Sequence, residues 1–460
     1  MPVFDIIIMA AGQGKRMYSS LPKVLHTIAG KPMLEHVVET AASLCPERIF
    51  VVIGHEGALI QKELSHLKVD WVWQKQPLGT GHAVLQALHY IPEDRSVLVL
   101  SGDVPLIQKD TLLGLIKACD VHPHTPNVLG LLLANLPEPT GLGRIIRNSQ
   151  GMIQAIIEEK DAEDQHKAIK EIYTGICYVM AQDLHRWLPC LSNHNEQKEY
   201  YLTNILSCAV TEGMSIVPCI TDQLYEIAGV NNQVELQNLE RAWQARIALQ
   251  LMHAGVTLAD ASRIDIRGTL KCGKDVFIDV NVLFIGDVFV NDGTHIGPHC
   301  MISNTRIGKN CHVLANSVLD SCLIADECDI GPFARMRPGT QLASGCKVGN
   351  FVETKNATLA MHSKASHLSY LGDVTIGEHV NIGAGTITCN YDGVNKHHTV
   401  IEDGVFIGSD TQLVAPITVG KNATIGAGTT LRRNAPAEAL TLTDSKQKTI
   451  YDWQRPAKKK

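Results

Sequence analysis

The 460-residue chain reads as an α/β protein in three sections: a Rossmann-like domain, a long connecting helix and a left-handed parallel β-helix of hexapeptide repeats. Three observations predict this. Ile401, Ile407, Leu413, Val419, Ile425 and Leu431 stand six residues apart, a spacing that neither a helix (period about 3.6) nor a strand (period about 2) produces. Strand-like and helix-like stretches alternate over residues 1–229, which implies a largely parallel sheet covered on both faces. Between these regions Val234, Leu236, Leu239, Trp243, Ile247 and Leu251 recur at helical spacing, and Gly255 follows as a stop.

In the first section, 1–229, the apolar runs over residues 5–9, 49–53, 97–100 and 128–133 read as strands, with helices between them over 33–44 and 81–89. The linker section, 230–250, belongs to one helix whose pattern runs from Gln233 to about His253. The coil section, 251–460, starts its rhythm near Val256 or Ile264 and carries it through Ile278, Phe284, Val290, Ile296 and Ile302, then Ile324, Ile330 and Met336, then Ile376 and Ile382. Gly often follows the anchor, as at Gly297, Gly308, Gly331, Gly377 and Gly408, which suggests a tight corner needing unusual backbone angles. The cadence breaks around Ser303-Asn304-Thr305 and over 356–369, where projecting loops are expected. A coil of this kind cannot bury its apolar face alone, so self-association is expected too.

A hydrophobic fraction of 45% supports ordinary buried cores. The net charge of −6 argues against a nucleic-acid partner, which usually meets a basic face. Lys458-Lys459-Lys460, the strongest basic run, reads as a solvated tail. No apolar stretch is long enough to span a bilayer, and the chain opens into a strand-like segment without a signal-type leader. The thirteen cysteines form no C-x-x-C pair and no metal-ligand spacing. Reduced thiols in a cytoplasmic enzyme fit these facts.

The first strand runs into Ala10-Ala11-Gly12-Gln13-Gly14-Lys15-Arg16-Met17. Small residues there let backbone N–H groups approach an anion, and a following helix N-terminus adds a favourable dipole. A lone G-x-G is also an ordinary tight turn. Joined to Arg16 and to Leu21-Pro22-Lys23-Val24-Leu25, it resembles the sugar-phosphate nucleotidyltransferases, which make nucleotide sugars from a nucleoside triphosphate. The resemblance implies that Met9, Ala10, Ala11 and Gly12 contact the nucleotide, and that Gln74 with Gly79-Thr80-Gly81-His82 reads the uracil edge and closes over it. Ser101, Gly102 and Asp103 end a strand at the carboxyl edge of the sheet, where open α/β sheets bind ligands. A carboxylate there suits Mg²⁺, which takes few protein ligands; a helix N-cap is the other reading of Asp103. By the same resemblance Gly143 and Glu158 hold the sugar, Tyr173 adds a weaker contact, and Asn231 is the second metal ligand. Lys23 and Arg16 neutralise phosphate charge while a sugar-1-phosphate oxygen attacks the α-phosphorus of UTP and expels pyrophosphate.

The coil carries a dense polar series around Arg337, Asn350-Phe351-Val352-Glu353-Thr354-Lys355, Ser366-His367-Leu368-Ser369-Tyr370, Asn381 to Gly393, and Lys396. Singly these are ordinary surface residues. Together Arg337, Lys355 and Lys396 suit a phosphorylated ligand, and His367 is the side chain there whose type titrates near neutral pH. With these strings the whole chain resembles the bacterial bifunctional N-acetylglucosamine-1-phosphate uridylyltransferases that are also glucosamine-1-phosphate acetyltransferases. The resemblance makes His367 the general base for acetyl transfer, with Glu353 as partner for its ring. Arg337, Lys355, Tyr370, Asn381 and Lys396 then bind glucosamine-1-phosphate. Ala384, Asn390, Tyr391, Ser409 and Ala427 line the path of acetyl-CoA, Ser409 polarising the thioester oxygen, and a homotrimer is implied.

Four positions depart from the family pattern. Lys15 replaces a usual Thr, Tyr173 a usual Asn, Asn204 a common Asp, and Asp444 an Arg that meets the acetyl-CoA phosphates, leaving Lys446 or the terminal lysines for that task. Two rivals stand beside the bifunctional reading. One is a single-activity nucleotidyltransferase with a regulatory or oligomerising coil; the other is a scaffold that has kept the fold without catalysis.

Overall fold

The computed structural model describes residues 3–12, 14–120, 128–444 and 446–456; Gln13, Lys458, Lys459 and Lys460 lie outside them. It forms two compact units, Met1–Trp243 and Gln244–Lys460.

The first unit is built on a sheet whose strands run in the order Ser215–Ile220, Val128–Asn135, Glu171–Met180, Ser96–Ser101, Phe4–Ala10, Ile49–Ile53, Asp70–Trp73. Continuous apolar runs such as Ile49–Ile53, every residue buried, suit strands covered on both faces. Side-chain alternation sends Ile6, Ile8, Leu98 and Leu100 into one core and Ile7, Val97 and Val99 into the other. Pairing is parallel from Ser96–Ser101 through Asp70–Trp73. The expectation of a largely parallel sheet meets an exception at Glu171–Met180, which is antiparallel to both neighbours and also pairs with Gly143–Arg147. The reason is the connection. Gly143–Arg147 and Ile153–Ile157 are joined by a short turn in which Asn148 Oδ1 accepts from the amides of Gln150 and Met152 at 3.0 and 2.9 Å. No crossover helix fits there, so the chain reverses.

The connecting helix is Gln233–His253. In the first unit Leu239 is buried with Met17, Ile28, Met33 and Val230, and Glu240 accepts from the Ala29 amide at 2.7 Å. In the second unit Ala248 and Leu251 join the coil's core, and the Gln244 amide makes both bonds to the backbone of Ile266, at 2.8 and 2.9 Å. Val234 fits the helical spacing yet is exposed.

The second unit is a parallel β-helix. Partners on successive coils stand 17 or 18 residues apart, as in Phe277↔His295, His295↔His312 and Asp329↔Lys347, about three hexapeptides per coil. The anchors fill one continuous core from Ile264 to Leu431.

Two expectations are corrected. The breaks at Ser303-Asn304-Thr305 and over 356–369 do not project loops: Phe289↔Arg306 and Lys347↔Lys364 show coils shortened to 17 residues. Long steps in register, 25 residues, occur at Val374↔Thr399, Asn381↔Phe406 and Ile387↔Gln412, and the extra chain they share lies between Ile387–Cys389 and Thr399–Ile401. The glycines after the anchors also have a different cause. Only Gly331 among the five has a positive φ. At Gly308 and Gly408 an added Cβ would come within 2.5 Å of the next coil's backbone, so close stacking demands the glycine. The left-handed corners come two residues later and are mostly not glycine: His299, Asn310, Phe351, Leu368 and Asp410 all have φ between 49° and 59°.

Candidate active sites

In the first unit a cleft of about 500 Å³ opens at the carboxyl ends of the strands. Met9, Ala10, Ala11, Gly12, Lys23, Gln74, Gly79, Thr80, Ser101 and Asp103 all line it, as does Lys15. Gly14, at φ +61, lets the loop fold onto Lys23: a Cβ there would lie 2.8 Å from the Lys23 Cβ. Gly102 sits behind the wall and donates to the Met9 carbonyl at 2.9 Å. Gly79, at φ +108, admits the backbone of Tyr200, whose carbonyl accepts from Gly81 N at 2.8 Å.

The charged centre is tight. Lys23 Nζ pairs with Asp103 Oδ2 and also reaches Asn231 Oδ1 at 3.4 Å, while Arg16 donates to the same Asn231 oxygen at 2.9 Å. Ser101 Oγ donates to Asp103 Oδ1 at 2.7 Å. Asn231 is brought in because the Val230 amide donates to the Asp103 carbonyl at 3.0 Å and Glu235 accepts from Asn231 N at 2.6 Å. Two oxygens from distant segments thus converge on one cation, here the Lys23 ammonium. That donor set fits a hard divalent ion with few protein ligands, and among the described residues no group of three or more His, Cys, Asp or Glu is arranged to hold a metal ion.

Gln74 Nε2 donates to the Gly79 carbonyl at 3.0 Å and lies 2.9 Å from His82 Nδ1, whose basicity burial lowers. These bonds hold the amide in one orientation. Gly143, Glu158 and Tyr173 do not line the cleft but lie together: Gly143 pairs with Tyr173 across strands, and Glu158 Oε2 would stand 3.7 Å from a Cβ at Gly143. Burial raises the Glu158 carboxyl above its ordinary value, against a 3.0 Å hydrogen bond from Thr203. Tyr173 is buried in the core. Asn204 follows Thr203 at the N-terminal boundary of the helix Ile205–Thr211, without a side-chain capping bond.

Sequence reasoning missed Pro77, Ala83 and Glu199 in the cleft wall. Glu199 arrives because Tyr200 N donates to the Leu78 carbonyl at 2.8 Å, a long-range pairing that no local motif announces.

In the second unit His367 stands immediately before the left-handed corner at Leu368. Its coil neighbour in register is Asn350, and His367 Nδ1 lies 2.7 Å from Asn350 Oδ1. An amide oxygen can only accept, so Nδ1 carries the proton and Nε2 is left as the basic nitrogen. The expected ring partner, Glu353, is a correction. It pairs instead with Arg337 at 2.8 Å, because its register places it beside Tyr370 and Arg335, around the corner from His367.

Lys355 is half-buried, and Lys396, by hydrogen bond and charge, followed by Arg337, pushes its ammonium below the usual lysine range. Three cations therefore share one spot. Asp373 supports them. Burial works to raise its carboxyl, but hydrogen bonds from Asn356 (2.7 Å) and Asn390 (2.5 Å), with Lys396 and Lys355, bring it below its ordinary value. Tyr370 lies with its hydroxyl over Gly372, where a Cβ would approach it to 2.5 Å. Asn381 lies on the strand that pairs with Lys364 and Phe406.

Ala384, Ser409 and Ala427 form one column on successive coils, two residues after their anchors. The Asp410 amide donates to the Ala384 carbonyl at 2.7 Å and the Gly428 amide to the Ser409 carbonyl at 2.8 Å. The Leu368 carbonyl accepts from Gly385 N at 3.1 Å, which puts His367 at the head of that column. Asn390 and Tyr391 begin the inserted segment, where Tyr391 bridges to Lys396. Asp444 and Lys446 are exposed.

A model of the MobA-like NTP transferase domain matches residues 6–132, and one of the bacterial transferase hexapeptide (six repeats) matches residues 398–433. The chain is 62% identical over 455 residues to Bifunctional protein GlmU of Legionella pneumophila (strain Lens), covering 99% of each. The chain belongs to the GlmU family. It is also 51% identical to Bifunctional protein GlmU of Cupriavidus pinatubonensis over 99% of each chain. With that of Marinobacter nauticus it shares 50% over 100% of each. All thirteen cysteines are free. Among the described residues no helix is long and apolar enough to cross a membrane.

Proposed function

We propose that the chain makes UDP-N-acetylglucosamine, a precursor of peptidoglycan and lipopolysaccharide, in two steps on its two units. Residues 251–460 acetylate glucosamine-1-phosphate from acetyl-CoA; residues 1–229 transfer uridylyl from UTP to the N-acetylated product; 230–250 link them. The work is done in the cytoplasm by a homotrimer.

For uridylyl transfer, Met9 to Gly12 wrap the nucleotide, Gln74, Gly79 and Thr80 hold the uracil edge, and Arg16 and Lys23 neutralise phosphate. Gly143, Glu158 and Tyr173 form the sugar side. The sugar-phosphate oxygen attacks the α-phosphorus in line, the bond to the β-phosphate oxygen breaks, and pyrophosphate leaves with the electron pair. Asp103 and Asn231 would hold Mg²⁺, which would supply charge stabilisation to the reacting phosphates. The observation that carries this reading is the convergence of Asp103 and Asn231 on the Lys23 cation.

For acetyl transfer, Arg337, Lys355 and Lys396 hold the sugar phosphate, with Tyr370 and Asn381 on the sugar. His367 Nε2 takes a proton from the substrate ammonium, the freed amine attacks the thioester carbonyl, and Ser409 polarises its oxygen. The C–S bond breaks, the departing thiolate takes the proton from the imidazolium, and the amide nitrogen gives up the second proton of the former ammonium to solvent, so the reaction releases one net proton. A regulatory coil would need neither the imidazole held by Asn350 nor three cations in one place.

The decisive experiment pairs Asp103→Ala with His367→Ala in the full chain. Asp103→Ala should lose pyrophosphate release by roughly 10³-fold and keep acetylation. His367→Ala should lose acetyl transfer by about 10²–10⁴-fold and keep uridylyl transfer. Either variant impairing both reactions alike, or neither, overturns the two-site assignment.

A further inference from the structure

Beside the nucleotide cleft lies a second open cavity of about 590 Å³ to which neither reaction assigns a role. Lys15, His55, Trp73, Gln74, Lys75 and Pro77 line it, and Lys15, Gln74 and Pro77 are shared with the cleft. The charge pattern is one-sided. The wall carries three potential cations and no carboxylate, whereas the cleft contains Asp103 and Glu199. None of Lys15, His55 and Lys75 forms an ion pair or side-chain hydrogen bond with a described residue. Three uncompensated donors facing one concavity make a region of positive potential suited to a compact polyanion.

The local fold holds this wall in place. Gly54 ends the strand Ile49–Ile53 against the phosphate loop, where a Cβ would lie 2.9 Å from the Ala11 carbonyl. Gly57 leaves room for the Trp73 ring, which would approach a Cβ there to 3.0 Å. Trp73 is 43% exposed and borders the cavity. Lys15 lies on the phosphate loop and lines both the cleft and the side cavity.

We propose that this side cavity binds inorganic pyrophosphate, receiving the leaving group of uridylyl transfer through Lys15 and holding it with Lys75 and His55. The proposal rests on the uridylyl-transfer reading above for the origin of the ligand, but not for the binding itself. It gives Lys15, Lys75 and Trp73 a joint role as the release path.

Trp73 supplies the readout. The full chain is titrated with inorganic pyrophosphate, without nucleotide or metal, while indole fluorescence is followed. The expected result is a saturable change that Trp73→Phe removes. Lys75→Gln and Lys15→Thr should each weaken the dissociation constant about tenfold, the loss of one charge-assisted contact at an open site. In the reverse reaction Lys75→Gln should raise the KM for pyrophosphate by the same factor while leaving the forward KM for N-acetylglucosamine-1-phosphate unchanged. Retained acetyl transfer shows that each variant is folded. A signal that survives Trp73→Phe, or a dissociation constant unmoved by both lysine changes, overturns the proposal. So does displacement of pyrophosphate by uridine alone, which would make the cavity a nucleoside site. If the wild type releases no pyrophosphate from UTP yet still binds pyrophosphate at Trp73, it is the uridylyl reading that fails.

Discussion

Removing the Asn350 side chain tests how the coil sets its base. Asn350 Oδ1 lies 2.7 Å from His367 Nδ1 and touches neither the cation trio nor the Ala384–Ser409–Ala427 column by hydrogen bond. Asn350→Ala therefore removes the bond that selects the tautomer and leaves the rest of the site in place. A hydrogen bond of this kind has a net value of about 1 kcal/mol, and His367 is exposed, so the lower half of the usual range applies. One kcal/mol corresponds to about fivefold. The kcat of acetyl transfer should fall by roughly three- to fivefold, with the KM for glucosamine-1-phosphate little changed and uridylyl transfer untouched. Asn350→Asp sharpens the test. A carboxylate in place of the Asn350 amide, 2.7 Å from Nδ1, favours the charged ring through an attraction that the amide lacks. Because the base works when neutral, the acidic limb of kcat should move to higher pH, and about 1 M salt should reduce that displacement. The assay is thiol release from acetyl-CoA from pH 5 to 9. Unchanged kcat in Asn350→Ala together with an unmoved limb in Asn350→Asp would refute the assigned orientation.

Lys396→Ala removes the main influence that lowers the Lys355 ammonium. Lys355 in its proposed role holds phosphate only when protonated, so in the wild type the KM for glucosamine-1-phosphate should rise at alkaline pH, beginning below the ordinary lysine range. In Lys396→Ala that rise should shift to higher pH, although the KM is larger throughout; an unshifted rise argues against the coupling. Glu158 gives a stability signature. Its carboxyl is raised by burial, so its contribution is favourable below the unfolded pKa and is lost as pH rises through the higher folded value. Glu158→Gln should therefore flatten the fall in Tm that sets in as pH rises above the ordinary glutamate range, measured by calorimetry, and Thr203→Val, which removes the opposing hydrogen bond, should steepen it.

The fold was legible where the chain repeats its own physics. Six-residue spacing marks the coil because each side must bury one anchor, and strand-to-loop transitions at Met9 and Ser101 mark the edge where the cleft forms. What could not be read was anything set by register. The reversal at Glu171–Met180 follows from a short Asn148 turn that composition alone does not separate from other loops. The hexapeptide rhythm stumbles at Ser303-Asn304-Thr305 and over 356–369, yet the inserted segment lies elsewhere. Losing one residue from a coil disturbs the rhythm as visibly as gaining several, and only the pairing tells the two apart.

The sites follow the same division. Residues that act through the backbone near them, such as Met9 to Gly12 and Gly79, carry their signal locally. Partners one coil apart do not. Glu353 is close to His367 in the string of polar residues and is the stronger hydrogen-bond acceptor, so chemistry alone favours it as the ring's partner. Geometry decides otherwise, because a coil of 17 residues puts Asn350 beside His367 and leaves Glu353 for Arg337. That exchange has a chemical consequence. A carboxylate on Nδ1 would hold the imidazole's proton and favour its charged form, whereas the amide fixes the same tautomer without adding charge. On the proposed reading the base must be neutral to act and gains more from orientation than from a counter-ion, and the carboxylate is left to restrain Arg337, the arginine proposed to meet the phosphate.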